Sequence, residues 1–164
     1  MDIRDASETD ALGILQIYND AVRHTTAIWN DRPSRLEARL AWLAERRQSS
    51  FPVLVAVEDG EVLGYASFGA FRPWDGYRYT VEHSVYVART TRRAGVGRGL
   101  VGALIGRARA MDKHVMVAAI EATNEASLKL HAGLGFVEVG HMKSVGRKFE
   151  RWLDLVLMQL MLQD

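Results

Sequence analysis

Cysteine is absent from the 164 residues of the sequence. Its absence excludes disulfide bonds, thiolate nucleophiles and cysteine-ligated metal sites. The five histidines do not occur at metal-ligand spacing either, so we expect no metal ion. A chain without cysteine fits the reducing environment of the cytoplasm, which is the location we expect.

Excess charge of one sign and long apolar runs are also missing. Lys and Arg together number 21 against 20 Asp and Glu, for a net charge of +1. This balance supplies no general field for nucleic acid or anionic lipid, so we expect neither partner and predict that any anion site is local. No apolar run approaches the roughly 20 residues that span a bilayer. The N-terminal segment MDIRDASETD lacks the apolar core of a signal peptide.

The composition that remains is typical of one folded domain. Hydrophobic residues make up 48% of the sequence and charged residues 25%, which are ordinary proportions for a globular protein. A chain of this length corresponds to about one domain. The sequence contains no internal repeat, low-complexity tract or linker, so we predict a single domain over residues 1–164.

Two periodicities divide the chain into predicted strands and helices. Apolar and β-branched runs predict strands over residues 2–4, 53–57, 62–69, 80–88, 115–120 and 136–142. Apolar residues at helical spacing predict helices over residues 11–22, from Ser34, from Gly97 and over residues 126–132. The run at residues 152–162 is apolar almost throughout, and periodicity alone allows either a covered strand or a buried helix.

Local signals refine three of these elements. Ser34 and Glu37 have the spacing of a capping box, followed by a leucine stripe at positions 36, 40 and 43 that we expect to be buried. The Asp59-Gly60 pair predicts a hairpin turn between two antiparallel strands. The helix that separates residues 80–88 from 115–120 predicts a right-handed crossover, which makes those two strands parallel.

A basic, glycine-containing turn at residues 92–99 carries the clearest chemistry. Glycines let the backbone approach a ligand closely, and the following helix adds the partial positive charge of its N-terminus. Such a turn suits a pyrophosphate. It lacks the Lys-Ser/Thr ending of a P-loop, and Leu100 stands where the dinucleotide fingerprint requires its third glycine. A plain tight turn into a helix remains the alternative.

Two sequence motifs, in the same order as in a known family, indicate a resemblance to that family. Arg92-x-x-Gly95-x-Gly97 resembles the first motif of the GNAT acetyltransferase superfamily, and Asn124-x-x-Ser127-x-x-x-His131-x-x-x-Gly135-Phe136 resembles its second. Residues 74–87 and 151–154 resemble the phosphinothricin acetyltransferase branch more narrowly. The resemblance therefore extends over nearly the whole chain. It implies an α/β fold of the α+β kind, with a mixed, twisted, mostly antiparallel sheet, helices on both faces and central parallel strands that splay apart.

The same resemblance implies an acetyl-CoA site between the splayed strands. The backbone of the strand before the glycine turn would contact the pantetheine arm, the turn would hold the pyrophosphate, and the helix after the fifth strand would contact the arm or the phosphates. The residues concerned are Val85, Tyr86, Val87, Arg93, Ala94, Gly95, Val96, Gly97, Arg98, Asn124 and Ser127. Helix capping is a second role for Asn124.

Glu82 is the candidate for proton transfer. An amino acid's amine is mostly protonated near neutral pH, so a carboxylate must accept its proton before the amine attacks a thioester. Glu82 alternates with Val81 and His83, which we expect on the opposite, apolar face of the strand. His83 is a rival base that we interpret as a hydrogen-bonded core histidine. His131 stands where many GNAT enzymes have a proton-donating tyrosine, and it is equally interpreted as a polar residue of the cofactor wall.

The loop before Glu82 is the candidate acceptor site. It combines aromatic rings, a carboxylate and two guanidinium groups in Arg72, Trp74, Asp75, Gly76, Tyr77 and Arg78. An arginine pairs well with the carboxylate of a zwitterion, so the predicted acceptor is a small amino acid such as methionine sulfoximine, methionine sulfone or phosphinothricin. We expect a homodimer. The alternatives are an acetyltransferase for protein or peptide amines and a non-catalytic CoA-binding domain.

Overall fold

The computed structural model describes residues 1–91 and 94–164. One seven-stranded sheet runs through the molecule in the order β1-β2-β3-β4-β5-β7-β6, and every neighbouring pair is antiparallel except β4 and β5. Its strands are β1 (Asp2–Asp5), β2 (Val53–Glu58), β3 (Glu61–Ala70), β4 (Thr80–Val87), β5 (Val115–Glu121), β6 (Val137–Lys148) and β7 (Arg151–Met161). The helices are α1 (Ala11–His24), α2 (Leu36–Gln48), α3 (Val96–Ala110) and α4 (Glu125–Gly133). The predicted mixed, mostly antiparallel sheet is confirmed.

Helix α2 differs from its prediction at the N-terminus. It begins at Leu36 with Arg35 as the cap residue, and no side chain caps it. The backbone of Ser34 is bound instead by Asn19, whose amide accepts from Ser34 N at 2.7 Å and donates to Ser34 O at 3.1 Å. The predicted capping box is therefore wrong, because α1 fixes the chain before the helix starts. The predicted leucine stripe is also too long, since Leu36 is 37% exposed and Leu43 is buried.

The C-terminal apolar run is a strand. Strand β7 lies between β5 and β6 and pairs with β5 from Val115↔Met161 to Glu121↔Leu155. Its inward side chains are buried at alternating positions, as in a strand with one face on the core. Strand β6 is longer than predicted and pairs with β7 up to Lys148↔Arg151. The hairpin at Asp59-Gly60 is confirmed, with both residues at positive φ as a type I′ turn requires.

Each face of the sheet has its own apolar core. Helix α3 packs Leu100 and Leu104 against one face, where Phe68 and Met116 are buried. On the opposite face, α1 and α2 pack against a cluster that contains Tyr65. The sheet is thereby held rigidly from both sides, and the residues of β4 alternate between the two cores.

The pairing of β4 with β5 ends halfway along β4. Their parallel register runs from Thr80↔Val115 to His83↔Ala118. Beyond it, residues 84–87 pair only with β3, while β5 continues along β7 to Glu121. The two central strands therefore diverge, as the family resemblance implied, and they leave a gap in the middle of the sheet.

The β6–β7 hairpin carries an exposed apolar face. Large hydrophobic side chains project from it at Val137, Val139, Met142, Val145, Phe149, Trp152 and Met161. Exposed apolar areas of this kind are typical of interaction surfaces. Within residues 1–91 and 94–164, no helix is long and apolar enough to cross a membrane.

Candidate acetyl-transfer site

The gap between β4 and β5 opens into a mainly apolar cleft of about 270 Å³. Four elements line it, because the gap lies where α1, β4, α3 and α4 converge. Its wall includes Ile17, Ala21, Thr25, Ala27, Val85, Tyr86, Val87, Gly97, Asn124, Ser127 and Leu130. The structure therefore brings together the predicted residues of β4 and α4 with Gly97 of the glycine turn. The α1 contribution was missed, because cleft residues on that helix have the same periodicity as core residues.

The N-terminus of α3 lies at the end of this cleft. Gly95 caps the helix at φ +83°, a conformation that favours glycine, and its carbonyl accepts from Gly99 N at 2.9 Å. The first N–H groups of a 15-residue helix have no partner within the helix, so they are available to an anion. The Val96 side chain is buried in the core, which leaves its main chain to contact a ligand. Ala94 and Arg98 are exposed, whereas Arg93 lies outside the described residues.

Gly97 is the point of closest approach between α3 and the cleft walls. A Cβ atom there would lie 2.9 Å from Leu130 Cδ1 and 3.6 Å from Val87 Cγ2. A Cβ atom at Gly95 would meet nothing within 4 Å. The two positions therefore favour glycine for different reasons. Gly95 has a positive φ, whereas Gly97 lies too close to its neighbours for a side chain.

Asn124 has the predicted capping role as well as a place in the cleft. Its Oδ1 accepts from Ser127 N at 3.2 Å, which caps α4. Both residues also line a second hollow of about 70 Å³, between residues 83–86 of β4 and the end of β5. Capping and ligand contact are compatible, because the cap uses only the carbonyl oxygen of the amide.

Glu82 lies on the α2 side of the sheet, opposite Gly69 of β3. It is half-buried and borders a cavity of about 420 Å³ between β3, β4 and the end of α2. Burial raises the pKa of the Glu82 carboxyl, and the nearby Arg72 guanidinium partly opposes that rise. A carboxylate whose pKa is raised is a stronger base. Ser84, at the hollow beside the cleft, follows Glu82 on the same face about 7 Å along the strand.

The two candidate arginines of the loop at residues 71–79 differ in their effect on Glu82. Arg72 acts on Glu82 through its charge, and its Nη1 donates to Phe71 O at 2.9 Å. Arg78 donates to Asp75 O at 2.9 Å, and both arginines border a hollow of about 210 Å³ that includes Lys113. Trp74 is 67% exposed. Arg72 is thus the better placed of the two, and the loop is open to solvent.

Three aromatic rings and a short turn complete this loop. Asp75, Gly76 and Tyr77 form a single 3-10 turn. The Tyr77 ring packs edge-on against Phe71 at 5.7 Å and tilts towards Trp74 at 6.4 Å. These contacts hold the loop against itself, so the aromatic side chains form an exposed wall beside the Glu82 cavity.

The family is decided by the comparison with known proteins. The Acetyltransferase (GNAT) family matches residues 14–136, which is most of the chain and includes both motifs. The chain belongs to the GNAT acetyltransferase family. This acetyltransferase has the fold, the splayed strands and the glycine turn that the sequence resemblance implied.

Relatives of this acetyltransferase are similar along its whole length. It is 54% identical to the L-methionine sulfoximine/L-methionine sulfone acetyltransferase of Salmonella typhimurium over 164 residues, which cover all of this chain and 96% of the relative. It is 41% identical to the phosphinothricin N-acetyltransferase of Alcaligenes faecalis, covering 96% and 80% of the two chains. The structure of yncA from Salmonella typhimurium with its cofactor acetyl-CoA superposes with a TM-score of 0.96 at 53% identity, covering 99% and 94%. The predicted phosphinothricin branch resemblance is confirmed.

A buried histidine pair lies beside the cleft of this acetyltransferase. His131 is 2% exposed, and its Nδ1 lies 2.7 Å from Ser127 O, an atom that can only accept. The proton of a neutral His131 is therefore on Nδ1, and its Nε2 accepts from His83 Nε2 at 3.0 Å. His83 Nδ1 is then unprotonated, and it has no hydrogen-bond partner within the described residues.

Both histidines of this pair are held neutral. Burial, and then the neighbouring His131, lower the pKa of His83 to about 3. Burial also lowers the pKa of His131, against the opposing hydrogen bond to Ser127. In this arrangement His131 Nε2 has no proton to give, which favours its interpretation as part of the cofactor wall. Its role as proton donor stays a prediction, and His83 fits the interpretation as a core histidine.

We predict that His83→Val makes the stability of the enzyme less sensitive to acid. A histidine that is neutral when folded and protonated when unfolded favours unfolding as the pH falls from 6.5 towards 3. For His83 this contribution is about 2 kcal/mol between about pH 6.5 and pH 5, at about 1.4 kcal/mol per pH unit. Urea unfolding of both proteins at the two pH values measures the difference.

The control for this measurement is His114→Val, which makes the same change at an exposed position. It is expected to keep the wild-type pH dependence. An unchanged pH dependence in His83→Val would show that His83 is already protonated in the folded protein at pH 5.

Proposed function

We propose that this enzyme transfers the acetyl group of acetyl-CoA to the α-amine of a small amino acid whose side chain ends in an oxygen-bearing tetrahedral group. Methionine sulfoximine and methionine sulfone are its first candidates, with phosphinothricin after them. The observation that carries the proposal is the 54% identity over the full chain to a methionine sulfoximine/sulfone acetyltransferase. Acetylation removes the charge and the nucleophilicity of the amine, so the proposed role is detoxification of such analogues.

The cleft has the features that an acetyl-CoA site requires. Residues 85–87 of β4 have no strand partner on the β5 side, so their main-chain groups are available to the amides of a pantetheine arm. The N-terminus of α3, with residues 93–98, is suited to the pyrophosphate. Asn124 and Ser127 of α4 complete the wall beside the arm.

The proposed chemistry follows from the position of Glu82. The carboxylate takes a proton from the ammonium group of the acceptor, directly or through a water molecule. The neutral amine then attacks the thioester carbon, and a main-chain N–H of residues 85–87 stabilises the oxyanion that develops. The C–S bond breaks, the CoA thiolate leaves with the electron pair, and the remaining excess proton of the amine nitrogen passes to the thiolate to give the amide and free CoA thiol. Arg72, which already acts on Glu82 electrostatically, binds the α-carboxylate in a two-pronged contact.

The exposed face of β6–β7 supports a homodimer as part of the proposal. Its side chains are large and apolar over both strands of the hairpin, and Trp152 is 63% exposed. A second copy of this chain would cover that surface by the same face, as two-fold dimers do. The dimer would also remove the exposed edge of β6 from solvent.

We predict that Gly97→Val weakens acetyl-CoA binding by roughly tenfold or more, which corresponds to about 1.4 kcal/mol. The added side chain would occupy the space between Leu130 and Val87 at the end of the cleft. Titration calorimetry measures the dissociation constant. Gly102→Val is the matched control, because it changes the same helix where a Cβ atom meets nothing within 4 Å. Unaltered affinity in a folded Gly97→Val protein would remove the cleft assignment.

We predict that Glu82→Gln lowers turnover by about 100- to 10,000-fold while acetyl-CoA affinity is retained. The loss should be largest at low pH, where free amine is scarce, and smaller at high pH, where the acceptor arrives deprotonated. Steady-state rates across the pH range measure it. Glu37→Gln, an exposed change on α2, is the control. A Glu82→Gln enzyme with the full rate at every pH would place the base elsewhere.

The acceptor is tested by comparing kcat/KM for methionine sulfoximine, methionine sulfone, phosphinothricin, plain amino acids and a short peptide. We expect the two methionine derivatives to be the best substrates, because Arg72 selects the α-carboxylate and the cavity beside Glu82 accommodates a polar end. Release of free CoA thiol is the measurement. A peptide or a simple aliphatic amine as the best acceptor would contradict the small-amino-acid proposal, and no release with any amine would favour a non-catalytic domain.

A further inference from the structure

Arg46 of α2 is an arginine of the Glu82 cavity that the sequence analysis did not single out. The cavity is bordered by Arg46, Phe51, Gly69 and Glu82, among others. The Arg46 guanidinium lies directly against Gly69, where an added Cβ atom would collide with it. Gly69 is also the cross-strand neighbour of Glu82. The absence of a side chain at Gly69 therefore gives the guanidinium its place beside the proposed base.

The Arg46 guanidinium has no salt-bridge partner among the described residues. Three other arginines of the described residues do form salt bridges, Arg4 with Asp10, Arg89 with Asp20 and Arg107 with Asp5. The Arg46 side chain forms no salt bridge and no hydrogen bond within residues 1–91 and 94–164, and the ring centre of Trp42 lies 5.6 Å from its guanidinium. Burial lowers its pKa, with Glu45 opposing. A partly buried, unpaired guanidinium at a cavity is suited to a ligand oxygen.

A second unpaired arginine on the same helix face serves as a contrast. Arg39 has its guanidinium 4.3 Å from the ring centre of Tyr18 and 5.2 Å from that of Trp42. Burial raises the pKa of the Tyr65 hydroxyl well above its usual value, and the charge of Arg39 partly opposes that rise. Arg39 is thus held between aromatic rings as part of the α1–α2 packing, whereas Arg46 borders open space.

The two cationic groups near Glu82 come from different sides. Arg72 belongs to the loop and borders the adjacent hollow, which shares Phe51 and Ala70 with the Glu82 cavity. Arg46 belongs to α2 and lies on the other side of those shared residues. For an amino acid with its amine at Glu82 and its carboxylate at Arg72, the cavity that Glu82 shares with Arg46 would be available to the side chain.

We propose that Arg46 is a specificity-determining residue that binds the oxygen-bearing end of the acceptor side chain. The inference rests on the proposed function and deepens it. A guanidinium donates two parallel hydrogen bonds to a pair of acceptor atoms, such as the two oxygens of a sulfone or phosphinate, or the oxygen and nitrogen of a sulfoximine. The thioether of methionine has no such oxygens and is only a weak acceptor, so it leaves the guanidinium unpaired. A site that hydrogen-bonds one substrate rejects the analogue lacking that group.

The experiment compares kcat/KM for methionine sulfone and for methionine, which share one carbon skeleton. In Arg46→Gln we expect the sulfone-to-methionine ratio to fall by about 10- to 100-fold, the usual effect of losing hydrogen bonds to a charged group. The rate with methionine should change little. Arg47→Gln removes the same charge from an exposed neighbour on α2 and should keep the wild-type ratio.

Each other outcome overturns the inference. An equal loss with both acceptors would make Arg46 a structural residue that holds α2 on β3, and an unchanged ratio would place the oxygen contact elsewhere. If a thermal melt shows that Arg46→Gln is not folded, the same ratio is measured in Arg46→Lys. This variant keeps the charge but loses the two-pronged contact. A wild-type ratio in a folded lysine variant overturns the proposal. If the wild-type enzyme itself does not prefer the sulfone, it is the proposed acceptor that fails.

Discussion

The end of the β4–β5 pairing is the constraint on which the rest of the site depends. Parallel strands that stayed paired would satisfy each other's main-chain groups, and no ligand would enter the sheet. Here β5 continues with β7 after Ala118 while residues 84–87 stay with β3. The unpaired main chain of β4, the N-terminus of α3 and the cap of α4 then face one cleft. A single change of partner in the sheet thus creates both the opening and its polar lining.

Successive side chains of β4 face opposite sides of the sheet, so the neighbouring residues Glu82 and His83 lie in different environments. Glu82 faces α2, where the cavity is open enough for a charged base. His83 faces the opposite core, where burial and the contact with His131 keep both rings neutral. A shift of one residue in the register of β4 would exchange these environments. The long antiparallel pairing with β3 fixes the register, and so it fixes which side chain of β4 faces the α2 side of the sheet.

The acceptor side of the molecule is organised by unpaired positive charge. Arg46 comes from α2 and Arg72 from the loop, and neither forms an ion pair with a carboxylate of the described residues. Glu82 lies between the elements that carry them, so the proposed contacts with the acceptor involve one carboxylate and two guanidinium groups. Burial makes such contacts stronger than they are in water, because the effective dielectric constant is lower.

The sequence by itself determined the family, the order of nearly all elements, the parallel crossover and the residues of the glycine turn. These depend on local signals, which are apolar periodicity, turn chemistry and two spaced motifs. Only the tertiary structure decided what depends on distant partners. Residues 152–162 are a strand because β5 and β6 flank them, and Ser34 fails as a cap because Asn19 holds its backbone. Arg46 joins Glu82 only because α2 packs over Gly69, a contact between segments that no local pattern relates.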